Sequence, residues 1–101
     1  MVKFYHVSPI ENLPSIMKHG LIPKFDPKKL VKGKVVFLWG DFQVAKGVAE
    51  VMGYATIFEV DLPKNTVIKG RWNSEYYFNQ KIPVDKIKIR KLCVKGAEGV
   101  S

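Results

Sequence analysis

The sequence predicts a single α+β domain with two helices in its N-terminal half and a mixed or mostly antiparallel sheet. The chain has 101 residues, enough for one modest core. Helical periodicity alternates with strand-length apolar runs in the first half, and short β-branched and aromatic runs separated by turn residues fill the second half. We therefore expect one domain over residues 1–95 and a flexible tail over residues 96–101.

The first strand is predicted over residues 2–7, which are rich in aromatic and β-branched side chains. Ser8 then provides a helix cap and Pro9 a favoured first helical residue. The pattern predicts that a helical turn begins directly after the strand.

The first full helix is predicted to restart at Asn12 as a second cap. Pro14 lacks a backbone N–H and is tolerated in a first turn, but it would disturb a helix interior. The helix should end near His19, because Gly20 has the positive-φ freedom that a helix end needs. Residues 23–34 are then expected to form an exposed loop.

The second strand and helix follow directly. Residues 34–39, KVVFLW, form a short apolar run typical of a buried strand. Asp41 is expected to cap a helix that ends at Gly53. The inward side of this helix is predicted to consist of Phe42, Ala45, Val48, Ala49 and Met52.

The remaining segments are predicted to be strands. Residues 54–63 alternate in a way that indicates a strand with one wetter face. Residues 66–69 and 74–78 are shorter candidates, and residues 86–94 form a last strand with a basic outer face. The predicted α+β class depends on this run of strands after two helices.

The charge favours an anionic partner. Seventeen Lys and Arg against nine Asp and Glu give a net charge of +8, concentrated in residues 24–34 and 81–95. Whether these two segments form one surface stays open at this stage. The candidate contacts to phosphate or nucleic acid are Lys28, Lys29, Lys32, Arg71, Lys88 and Arg90.

Several classes of protein and site are disfavoured. No apolar run approaches the ~18 residues of a spanning helix, and the N-terminus lacks a signal-peptide pattern, so we expect a cytoplasmic protein without a membrane partner. One cysteine and two histidines provide no disulfide and no zinc spacing, so no metal is expected. No glycine-rich dinucleotide or phosphate loop follows any strand.

Three segments, taken in chain order, resemble the ADP-ribosyltransferase superfamily, which includes mono- and poly-ADP-ribosyltransferases, NAD-cleaving toxins and the tRNA 2′-phosphotransferase group. The first is FYHVSPIENLPSIMKHGLIP, which is similar to the family's opening strand and helix. The second is KVVFLWGDFQVAKGVAE, and the third is NSEYYFNQKIPVDKIKI, which resembles the strand of the catalytic glutamate. Together they cover about half of the chain.

This resemblance implies an ADP-ribosyltransferase-like fold and NAD as a substrate, with ADP-ribose transferred to a protein or nucleic-acid acceptor. His6 would bind the adenosine ribose, Ser8 would lie beside the nicotinamide ribose, and Glu75 would be the catalytic acidic residue. Trp39 is a candidate for stacking on a base or on nicotinamide. Tyr77 shares a strand face with Glu75 and is a further cofactor-binding candidate.

Other interpretations stay open. His6 is also compatible with a histidine satisfied at the edge of the core, and Glu75 with a solvent-facing residue paired with lysine. A non-catalytic nucleic-acid-binding module of viral or mobile-element origin would use the basic segments and the aromatic strand. A third interpretation keeps the fold without the activity. The oligomeric state is undecided.

Overall fold

The computed structural model of the chain describes residues 1–26 and 32–93. Seven strands and two α-helices are present in this part, which confirms the α+β class. The strands are β1 (Val2–Pro9), β2 (Lys24–Phe25), β3 (Lys34–Trp39), β4 (Ala55–Leu62), β5 (Ile68–Lys69), β6 (Glu75–Phe78) and β7 (Ile87–Cys93). The helices are α1 (Leu13–His19) and α2 (Phe42–Met52), with short 3-10 turns at Ile10–Asn12, Lys64–Thr66 and Val84–Lys86.

The sheet has the strand order β5-β6-β3-β1-β4-β7, and β2 pairs with β3 beside this path. Every strand pairing between described residues is antiparallel. One side, which we call the α1 face, holds the larger core, in which Ile16 of α1 packs with Phe4, Leu38 and Phe58. The other side, the α2 face, is covered by α2, where Ala45 packs against the strands.

A gap opens between two neighbouring strands. β1 pairs with β4 along its whole length, from Val2↔Leu62 to Pro9↔Ala55. Its described pairing with β3 consists of Tyr5↔Trp39 alone. Beyond this pair the strands diverge, and the ring of His6 bonds to the Phe37 carbonyl in place of a backbone ladder bond. We call the space between residues 6–9 and 34–37 the β1–β3 gap.

The start of α1 differs from the prediction in one respect. Ser8 and Pro9 belong to β1 rather than to a helical turn, because they remain paired with β4. Asn12 precedes α1 as predicted, but its side chain makes no capping bond and instead donates from Nδ2 to Ser8 Oγ at 3.1 Å. The predicted end at His19 is confirmed, with Gly20 at φ 83°.

The predicted second helix is confirmed, with one exception on its inward side. Asp41 Oδ1 accepts a hydrogen bond from the Gln43 backbone N–H at 2.8 Å, and the helix ends before Gly53. Ala45 is buried as predicted. Met52 is 43% exposed, so its predicted inward position is wrong.

The predicted wetter face of β4 is also wrong. Six successive residues, from Ala55 to Val60, are buried. Periodicity alone did not show that β4 lies between β1 and β7 with a core cluster on each face. Even Glu59 is only 9% exposed.

The predicted loop over residues 23–34 contains the short strand β2, which pairs with the start of β3. The predicted tail over residues 96–101 lies outside the described residues, as do Lys28 and Lys29. Within residues 1–26 and 32–93, no helix is long and apolar enough to cross a membrane.

Candidate functional site

A pocket of about 150 Å³ lies at the β1–β3 gap, on the α1 face. It is enclosed by strands β1 to β3 and by the segment that leads into α1. Polar or charged side chains from four elements contribute to its lining: His6, Ser8, Asn12, Ser15 and Lys24. Ile16, Leu21 and Phe37 are among the apolar residues that line it.

His6 is oriented by β3. Its Nδ1 lies 2.7 Å from the Phe37 carbonyl oxygen, and because a carbonyl only accepts, Nδ1 must carry the proton. Burial lowers the pKa of His6 below 6.5; the bond to Phe37 opposes this shift, and the positive charge of Lys24 adds to it. The ring is therefore neutral at pH 7, which leaves Nε2 as a hydrogen-bond acceptor.

Ser8 adds a hydrogen-bond donor to the pocket in which His6 Nε2 is an acceptor. The side chain is 5% exposed, and its Oγ accepts from Asn12 Nδ2. The hydroxyl proton of Ser8 therefore remains free to donate to a ligand. Lys24 supplies a positive charge to the same lining. One small pocket thus combines an acceptor, a donor and a cation.

Glu75 is held rigidly at the start of β6. Its Oε1 accepts from the Tyr77 hydroxyl at 2.7 Å and from the Arg71 backbone N–H at 3.0 Å. A Cβ at Gly70 would collide with this carboxylate, so a side chain there would displace Glu75 from its present position. Burial, followed by the hydrogen bond to Glu75, raises the pKa of Tyr77 to about 12.

The structure does not bring His6 and Glu75 into one pocket. The pairs Tyr5↔Trp39 and Trp39↔Glu75 place Glu75 on the α2 face. Successive residues of a strand point to opposite faces, so His6, which follows Tyr5, points to the α1 face. The sequence alone did not predict that these two side chains point to opposite faces of the sheet, because this depends on the register between three strands.

Two residues lie between His6 and Glu75. Phe37 accepts from His6 through its carbonyl, and its ring meets the Tyr77 ring edge to face with centroids 5.2 Å apart. Tyr77 then donates to Glu75. The shared strand face predicted for Tyr77 and Glu75 is confirmed by this hydrogen bond.

The two aromatic candidates for cofactor contacts lie outside the pocket lining. Trp39 is half-buried and packs against the core of the α2 face. Tyr77 is 7% exposed, and its hydroxyl is already bonded to Glu75. Neither ring is free to stack on a ligand bound beside His6 without rearrangement.

The described cationic candidates are distributed over distant parts of the sheet. Lys32 precedes β3, Arg71 lies in the β5–β6 hairpin, and Lys88 lies on β7; all three are exposed. Arg90 Nε is 3.5 Å from Glu59 Oε1, so this cation is already paired. Because β1 and β4 separate β3 from β7, the described parts of the two basic segments lie on non-neighbouring strands.

The sequence did not predict the roles of four residues at the pocket or beside Glu75. Lys24 and Phe37 line the pocket, Asn12 orients Ser8, and Gly70 accommodates Glu75. The four-residue spacing of Ser8 and Asn12 across a strand end was a usable signal. The other three depend on contacts between segments distant in sequence, which no local pattern shows.

Comparison with known proteins leaves the family open: no protein-family model matches the chain, and neither curated proteins nor solved structures include a match. The ADP-ribosyltransferase-like assignment therefore stays a prediction. Within the described part of the chain, no group of three or more His, Cys, Asp or Glu side chains is arranged to hold a metal ion.

Proposed function

We propose that this protein binds NAD or a related nucleotide in the pocket at the β1–β3 gap. The observation that carries the proposal is the combination of His6, Ser8 and Lys24 in one concave lining. A neutral imidazole that accepts and a hydroxyl that donates suit the vicinal hydroxyls of a ribose, and an ammonium group suits a diphosphate.

The size of the pocket limits how much of the ligand it encloses. Its volume of about 150 Å³ is below the ~300–1,000 Å³ of pockets that enclose whole drug-sized ligands. We therefore expect one nucleoside portion to enter and the rest of the nucleotide to extend along the β1–β3 gap.

We further propose that Glu75 acts on a ribose that reaches it through this gap, with transfer of ADP-ribose to a protein or nucleic-acid acceptor. Cleavage of the nicotinamide glycosidic bond develops positive charge on the ribose, which a carboxylate stabilises. The family resemblance alone supports this catalytic part. The register counts against it, because a ligand must pass Phe37 and Tyr77 to connect the two faces.

Isothermal titration with NAD tests the binding part. We expect saturable binding that His6→Ala weakens at least about tenfold, because the Nε2 acceptor is lost. His19→Ala is the matched control, since His19 is an exposed histidine of α1 outside the pocket lining. Unchanged binding of His6→Ala, with both variants folded by circular dichroism, would contradict the proposal.

Nicotinamide release, measured by chromatography, tests the catalytic part separately. Glu75→Gln should abolish release without abolishing NAD binding, whereas Glu50→Gln, at an exposed position of α2, should leave release unchanged. If NAD binds but no nicotinamide is released by the unmodified chain, the catalytic part is wrong and the binding part stands.

A second candidate function is single-stranded nucleic-acid binding without catalysis. The observation that favours it is Trp72, which is 67% exposed beside the exposed Arg71 in the β5–β6 hairpin. An oligothymidine titrated at several salt concentrations tests it, because binding through phosphates weakens steeply as salt rises. Trp72→Ala should weaken this binding. An equal affinity of the unmodified protein and of the Trp72→Ala variant for oligothymidine would exclude the hairpin as the contact.

A further inference from the structure

β7 is the last strand of the sheet and has one paired edge. It pairs with β4, and no other strand of residues 1–26 and 32–93 lies against its outer edge. In an antiparallel strand, alternate backbone N–H and C=O groups point away from the paired side. Ile87–Cys93 contains seven residues, so the edge is about 23 Å long at ~3.3 Å per residue, with a β-bulge between Ile89 and Lys91.

The side chains of β7 follow a two-sided pattern. On the α1 face, Ile89 and Leu92 are 45% and 50% exposed at the border of the larger core. On the α2 face lie Lys88 and Lys91, opposite Glu59 and Ile57 of β4, and Arg90, whose guanidinium lies over the Phe42 ring of α2. The edge therefore has an incompletely covered apolar row on one face and a cationic row on the other.

The neighbouring carboxylates leave the cationic row in excess, because Glu59, which lies opposite Lys88, is already paired with Arg90. Glu59 and Asp61 belong to β4, and Asp85 precedes β7. A strand added at the edge would lie ~4.8 Å from β7 and about 10 Å from β4, so its side chains would meet Lys88 and Lys91 first.

We propose that the edge of β7 binds an extended segment of a partner protein whose residues alternate between apolar and acidic. Its apolar residues would cover Ile89 and Leu92, its carboxylates would face Lys88 and Lys91, and its backbone would pair with the free edge. This proposal does not depend on nucleotide binding.

A second copy of the chain and a nucleic acid both fit this edge less well than a segment that alternates apolar and acidic residues. A second copy of the chain paired edge to edge would place cations of one β7 opposite cations of the other, which is destabilising. A nucleic acid would match the charge, but it would leave the free backbone groups and the half-exposed Ile89 and Leu92 uncovered. Edge lysines of this kind block self-pairing and leave the edge selective for an acidic strand.

A labelled peptide of about nine residues that alternates isoleucine and glutamate, long enough to span β7, is the probe. Fluorescence anisotropy with the full chain should give saturable binding, and heteronuclear NMR should show the shifts concentrated on the β7 amides. A peptide of the same composition with its glutamates in one block should bind at least about tenfold more weakly.

The double variant Lys88→Glu, Lys91→Glu should weaken binding by about tenfold or more. The double variant Lys18→Glu, Lys64→Glu is the control, because it makes the same change in net charge at exposed positions away from β7. Equal losses in both variants would overturn the proposal in favour of unspecific charge attraction. Thermal melts of the variants show whether each is folded.

Three further outcomes would also overturn the proposal. Shifts of the β7 amides with protein concentration alone would assign the edge to a second copy. Displacement of the peptide from the same amides by oligothymidine at lower concentration would assign it to nucleic acid. Cross-strand NMR contacts from β7 to residues 94–101 in the full chain would show that the chain covers its own edge.

Discussion

Replacing Thr56 with valine should stabilise the protein. Thr56 is fully buried on β4, and its Oγ1 has no hydrogen-bond partner among the described residues. Ser8 lies directly opposite on β1, is also buried, and accepts a hydrogen bond from Asn12. Two buried hydroxyls that face each other across one strand pair therefore differ in whether they are satisfied.

Thr56→Val and Ser8→Ala are expected to change the free energy of unfolding in opposite directions. A buried hydroxyl without a partner costs ~1–3 kcal/mol, and valine replaces it with a methyl group of similar shape, so Thr56→Val should raise the free energy of unfolding by about 1 kcal/mol. Ser8→Ala should lower it by about 1 kcal/mol, because Asn12 loses its acceptor. In a domain of this size, 1 kcal/mol corresponds to a shift in Tm of about 4–8 °C.

Urea denaturation followed by circular dichroism measures both variants against the unmodified chain. The slope of the free energy against urea should be unchanged, since neither variant alters the surface exposed on unfolding. A loss of stability in Thr56→Val comparable to that in Ser8→Ala would refute the reasoning, because it would mean that the Thr56 hydroxyl is satisfied in solution.

Two further predictions concern the α2 cap and the Tyr77 phenol. Asp41→Ala should lower the free energy of unfolding by about 1 kcal/mol through loss of the bond to the Gln43 N–H, while Asp41→Asn should retain most of it; equal losses in urea denaturation would contradict the capping role. The folded-state pKa of Tyr77, about 12, lies above its usual 10.0, so its contribution to stability is complete below pH 10 and is lost as pH rises from 10 to 12, by up to about 3 kcal/mol. Tyr77→Phe should lose less stability over that pH range. An identical loss in the unmodified protein and in the variant would show that ionisation of Tyr77 does not cause the loss of stability.

Much of the fold could be predicted from local sequence signals. Gly20 and Asp41 identified the end of α1 and the start of α2, because a positive φ and a capping carboxylate act on the nearest turn alone. The KVVFLW strand was predicted with the bounds that the structure has. Signals that act within one turn or one strand can be read without knowing the neighbours.

Less of the candidate site could be predicted. His6 and Ser8 were predicted from the family resemblance to bind NAD, which stays a prediction, and the structure places both in one pocket lining. Their partners Lys24 and Phe37 were missed, because β2 and β3 reach the pocket through pairings that no short pattern encodes. The burial of Glu59 was missed for the same reason, since it depends on which strands lie beside β4.

The sequence by itself determined the end of α1, the capped start of α2 and the bounds of β3, and that His6 lies on an apolar strand and Glu75 on an aromatic one. Only the tertiary structure decided that these two side chains point to opposite faces, with Phe37 and Tyr77 between them. The physical reason is that side chains alternate along a strand, so a difference of one residue in register reverses the face. Local propensity is insensitive to that difference, whereas the pairing of β1 with β3 and of β3 with β6 determines it.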